Sequence, residues 1–144
     1  MIATTLRFFA VVCLLLFCET MLTSIVTGNQ RTPQVGQEFS IKFSQRLKLE
    51  GEDFVVKFTG VPQDSRCPTN VNCVWAGNAE VSLAVNHDKC TAMITLNTHS
   101  TSGTGNESKA GGFRVKLIKL EPYPHSEKKI SQGDYTATLI VTKE

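Results

Sequence analysis

Ser65 directly follows Asp64, and the chain holds three histidines, His87, His99 and His125. A serine, an acid and an imidazole are the parts of a nucleophilic triad, in which the ring takes the hydroxyl proton and the carboxylate orients the ring. The surroundings of Ser65 argue against that chemistry. No strand-to-helix elbow presents the hydroxyl, and no glycine turn follows that would offer amides to an oxyanion. The plainer reading has Asp64 and Ser65 hydrogen-bonding the backbone of their own loop. Arg66 then pairs with Asp64 or with another acid. No catalytic residue is assigned, and the chain is not expected to be an enzyme.

A second constellation is His87-Asp88-Lys89-Cys90, an imidazole and a thiol three positions apart. Zinc sites take three or four such ligands at close spacing. Here only two are close, with His99 and His125 in distant loops, so His87 reads as a turn residue in solvent. Neither a metal nor a cofactor is expected.

The remaining chemistry lies in the cysteines, whose state depends on the compartment. Arg7 precedes an unbroken apolar run from Phe8 to Cys18, and Val26-Thr27-Gly28 supplies small residues beyond it. A basic start, a short apolar core and a small-residue end describe a secretory signal. Residues 1–28 are therefore read as a signal peptide cleaved after Gly28, with Thr20 the second choice. The alternative is an uncleaved membrane anchor, which Glu19 inside the apolar window opposes. Residues 29–144 remain, the size of one domain. They retain Cys67, Cys73 and Cys90. Export to a periplasmic or extracellular space favours a disulfide between Cys67 and Cys73. The count of three leaves the other pairings open. Cys90 then reads as a buried free thiol acting as a small apolar side chain, with an intermolecular bond as the alternative.

The elements that must hold these residues are strands. Phe39, Ile41 and Phe43 alternate with Ser40 and Lys42, and Phe54, Val56 and Phe58 alternate with Val55 and Lys57. Period-two patterns of this kind put one face on a core and the other in water. Leu47 to Val61 reads as a hairpin across the turn Glu50–Asp53. Trp75, Ala79, Val81, Leu83 and Val85 mark a long strand with a bulge at Gly77-Asn78. Asn86–Lys89 turns into a return strand through Ala92, Ile94 and Leu96. Residues 99–112 are polar and glycine-rich and read as a loop. Phe113 to Leu117 and Tyr135 to Val141 complete the set. About seven strands and no helix predict an all-β fold, an antiparallel immunoglobulin-like β-sandwich, with a barrel as the alternative. In such a fold Trp75, two residues after Cys73, is expected in the core between the sheets.

The string Asp64-Ser65-Arg66-Cys67-Pro68, followed by Cys73-Val74-Trp75-Ala76-Gly77, resembles the signature of a family of small exported bacterial proteins with no assigned function. Leu96-Asn97-Thr98 and Pro122-Tyr123-Pro124 match it more weakly, so the resemblance spans about residues 35–141. It implies an exported β-domain with a cysteine-bridged loop and brings no catalytic residues with it. Cys90 departs from its pattern.

The charge balance narrows the partners. A net charge of +2, with basic residues scattered and Lys128-Lys129 the sole adjacent pair, excludes a nucleic-acid footprint. Membrane contact is expected only through an uncleaved N-terminal segment. Asn106-Glu107-Ser108 fits the glycosylation acceptor pattern, a triplet too common to build on. The expected role is a non-enzymatic binding or envelope-associated module for an unknown protein or small ligand. The pinned loop 62–72, with Asp64, Ser65 and Arg66, would shape its principal face. A protease inhibitor that inserts its loops is the alternative function, and after it a metal-binding protein.

Overall fold

A computed structural model describes residues 32–99 and 105–144. The signal reading of residues 1–28 lies outside the described residues. Eight strands follow in order: β1 (Glu38–Lys42), β2 (Arg46–Lys48), β3 (Phe54–Asp64), β4 (Ala79–His87), β5 (Cys90–Asn97), β6 (Glu107–Ala110), β7 (Phe113–Glu121) and β8 (Thr136–Lys143). A single turn of 3₁₀ helix, Gln132–Asp134, precedes β8. No helix among the described residues is long and apolar enough to cross a membrane.

The strands form two four-stranded antiparallel sheets, ordered β1-β8-β7-β6 and β2-β3-β4-β5. Alternation decides which side chains are buried. Phe54, Val56 and Phe58 of β3 and Val81, Leu83 and Val85 of β4 point inward, as do Val115 and Leu117 of β7 and Leu139 and Val141 of β8. Residues from both sheets join one hydrophobic cluster. Phe54 and Phe113, one from each sheet, meet with ring centroids 4.5 Å apart.

Several expectations need correction. The described residues form eight strands where about seven were expected, because Glu107–Ala110 pairs with β7 inside the segment read as loop. Its short polar run gave no periodic apolar signal, and only the Gly111-Gly112 turn, with both φ positive, marks the hairpin. The strand expected from Trp75 begins instead at Ala79. Strand β3 runs on to Asp64, with register shifts around Gly60. The fork of Gln132 satisfies the irregular backbone there: Val61 N donates to its Oε1 at 2.9 Å, and its Nε2 donates to Val61 O at 2.6 Å. Cys90 is exposed rather than buried, since it opens an edge strand beside a turn.

Candidate functional site

Asp64 ends β3, and its partner across the sheet is Ala79, the first residue of β4. The segment between them leaves the sheet as the cysteine loop, and Asp64, Ser65 and Arg66 fix its base. Arg66 is only 6% exposed, although it carries a full charge. A buried guanidinium is tolerated only when its donors are met. Nε donates to Asp64 Oδ1 at 2.9 Å and Nη2 to Oδ2 at 2.6 Å, a bidentate fork. Nη1 donates to Leu120 O at 2.7 Å and Nη2 also to Pro122 O at 2.9 Å. The Tyr123 ring lies 4.9 Å from the guanidinium carbon, at cation–π range. Asp64 belongs to one sheet and Leu120 to the other, so the pair ties the two sheets together at this end.

Tyr135, just before β8, donates its hydroxyl to Asp64 Oδ2 at 3.0 Å. Burial pushes the Asp64 carboxyl up. The hydrogen bonds from the Arg66 side chain and backbone, the Arg66 charge and the Tyr135 hydroxyl outweigh it, and the group titrates below the usual carboxylate range. Burial first, and then the Asp64 carboxylate, push the Tyr135 phenol up to about 12.

Ser65 has a local role. Its Oγ donates to Asn78 O at 2.9 Å and accepts from Asn78 N at 3.2 Å, while Ser65 N donates to Asn78 O at 2.7 Å. Among the described residues no hydrogen bond joins Ser65 to a histidine. His87 sits at the far end of β4, against Phe54 and Phe113. Among the described residues no group of three or more His, Cys, Asp or Glu side chains is placed to hold a metal ion.

Beyond Arg66, Cys67 and Cys73 are disulfide-bonded, with Cα atoms 5.9 Å apart. Closing so short a loop contributes about 2 kcal/mol by restricting the unfolded chain. Cys67 N donates to Ala76 O at 2.9 Å and Thr69 N to Pro124 O at 3.0 Å, so both sides of the loop are anchored. Asn70 exchanges two hydrogen bonds with Ser126. Gly77 closes the loop with φ +72°, and a Cβ there would fall 1.8 Å from Ser65 O. Only glycine allows that approach.

This anchoring leaves Trp75 outside the core, contrary to expectation: it is 82% exposed, and Val74 beside it is 89% exposed. Their segment lies before β4 begins, so the alternation that would have turned Trp75 inward is not in force. Val71 and Tyr123 are exposed in the adjoining loop and in the Pro122–Pro124 segment bonded to it.

Sequence reasoning missed a second network. Asn97 is 3% exposed, and its Oδ1 accepts from Asn78 Nδ2 at 2.6 Å. Thr98 Oγ1 accepts from Ala79 N at 2.9 Å and donates to Asn78 Oδ1 at 3.2 Å. The four strings Asp64–Pro68, Cys73–Gly77, Leu96–Thr98 and Pro122–Pro124 thus converge on one end of the molecule, and the sequence offers them only as separate fragments. A cavity of about 370 Å³ opens there, lined by Arg66, Ala76, His99, Leu117, Leu120 and Tyr123 among others.

No protein-family model, curated protein or solved structure matches this chain.

Proposed function

We propose that this chain is an exported, non-enzymatic binding module built as an immunoglobulin-like sandwich, of the kind its sequence signature resembles. Its contact face is the disulfide-pinned loop that bears Val74 and Trp75. The two sheets with their shared core support the sandwich. The apolar run Phe8–Cys18 supports export, as does a disulfide in the loop.

One observation carries the binding role: the chain's sole tryptophan stands in solvent on a loop held from both sides. Exposed neighbouring apolar side chains leave water-facing area that a partner can cover, and tryptophan is the residue most enriched at binding hot spots. The loop is ordered beforehand, so a partner loses little conformational entropy in docking on it. The cavity beside Ala76 gives the same face a recess for a protruding group.

Incorporation of 5-fluorotryptophan gives the chain one fluorine, at position 75. Its resonance should shift or broaden when an envelope extract of the host is added. A resonance unchanged by envelope and extracellular fractions alike would exclude Trp75 from the contact.

A further inference from the structure

Strand β5 lies at the edge of its sheet, in the order β2-β3-β4-β5. Natural edge strands are commonly blunted by charge, proline, a bulge or shortness, because their free amides and carbonyls template pairing with another chain. Over Cys90–Asn97, Cys-Thr-Ala-Met-Ile-Thr-Leu-Asn, β5 has no charged residue and no proline. Its pairing with β4 is unbroken over all eight residues, without a bulge.

The geometry shows which backbone groups face outward. Asp88 and Lys89, with φ of 46° and 67°, make a two-residue turn of the primed type, so His87 and Cys90 close the hairpin as a bonded pair. Alternation then turns Cys90, Ala92, Ile94 and Leu96 toward β4 and Thr91, Met93, Thr95 and Asn97 away from it. Asn97 confirms the phase, since its amide reaches outward to Gly105 O at 3.1 Å. Among the described residues the outward amides of Thr91, Met93 and Thr95 have no backbone partner. Cys90, Thr91, Ala92 and Met93 are all exposed, and Met93 is 65% exposed.

We infer that β5 pairs antiparallel with β5 of a second copy of this chain, about a two-fold axis through Met93. The strand is self-complementary in this register. Thr91 faces Thr95 of the second copy, Met93 faces Met93, and all are outward-bonding positions, which yields about six backbone hydrogen bonds. Cross-strand threonine pairs are favourable, and no like charges meet. On the outer face Asn86, Ala84 and Ser82, opposite Thr91, Met93 and Thr95, are uncharged, and the one charge on that face of β4, Glu80, stands at its far end opposite Asn97. The two sheets join into one of eight strands, and the end that bears Trp75 stays free. The register sets Cys90 opposite Leu96 of the second copy, so the assembly does not depend on a disulfide through Cys90.

Sedimentation over a concentration series, on the chain as it accumulates in its host, tests this. Wild type and Cys90→Ser should both form a reversible dimer. Met93→Pro removes an outward amide that β4 does not use, and should weaken the dimer at least about tenfold. Met93→Lys, which sets two like charges at the axis, should do the same. Hydrogen exchange on wild type gives a reading that needs no variant: the Thr91, Met93 and Thr95 amides should slow as the dimer fills. A wild-type monomer throughout, a dimer lost in Cys90→Ser, or outward amides that stay fast in the dimer would each overturn the inference.

Discussion

The Tyr135 hydroxyl donates to Asp64 Oδ2 across 3.0 Å, onto the same oxygen that Arg66 Nη2 reaches at 2.6 Å. One carboxylate thereby joins the end of β3 to the residue that leads into β8, and Arg66 extends the connection to Leu120 of β7. The loop that presents Trp75 grows from this junction. The anchoring of that loop and the union of the two sheets therefore share one set of bonds.

Removing one partner of a buried ion pair leaves the other charge uncompensated. Arg66→Ala should cost about 3–5 kcal/mol. Arg66→Lys should recover only part of that, because an ammonium cannot supply the bidentate fork together with the two carbonyl bonds. Denaturant midpoints measure both. An Arg66→Ala protein within about 0.5 kcal/mol of wild type, the range of an ordinary surface change, would show the junction to be ornamental.

The same junction sets the pH dependence. The folded Asp64 titrates below its unfolded value of about 3.9, so its stabilisation is present above that pH and is lost as pH falls through the lower folded value. Tyr135 shifts the other way: its stabilisation is complete below an unfolded value of about 10 and is lost as pH rises toward about 12. Tyr135→Phe should lose about 1 kcal/mol at neutral pH and should flatten the alkaline limb. Melting temperature against pH for the two proteins checks this, and superimposable alkaline limbs would contradict it.

Gly77 and Gly112 have nearly the same φ, +72° and +74°, but different surroundings. A Cβ at Gly112 meets nothing within 4 Å, whereas at Gly77 it collides with the Ser65 backbone. Gly112→Ala should therefore cost only the conformational strain, about 1 kcal/mol, and Gly77→Ala at least about 2 kcal/mol. Equal losses in the two unfolding curves would mean that the loop closes some other way.

Alternation made most strands legible, because Phe54–Phe58, Val81–Val85 and Leu139–Val141 each carry a full period-two record. It failed at Glu107–Ala110, where pairing rests on the neighbour and the turn rather than on apolar side chains. It also misplaced Trp75, whose burial was inferred from residue type while Gly77 had already broken the strand. The Cys67–Cys73 bond is the pairing that an expectation of export favours, although three cysteines left other pairings open. Asp64, Ser65 and Arg66 were legible as the makers of the loop. The acceptors of Arg66 were not, since Leu120 and Pro122 lie more than fifty positions away and offer only backbone carbonyls.

The exposure of Trp75 is the claim on which the proposed binding role stands, and collisional quenching of its fluorescence by acrylamide tests it most directly. Excited at the red edge of the indole band, which the two tyrosines do not absorb, the emission reports position 75 alone, because the chain has one tryptophan. Emission at the water-exposed end of its range, quenched nearly as readily as a free indole, is the predicted result. Blue-shifted emission protected from acrylamide in the isolated monomer would place the ring in the core and remove the proposed contact face.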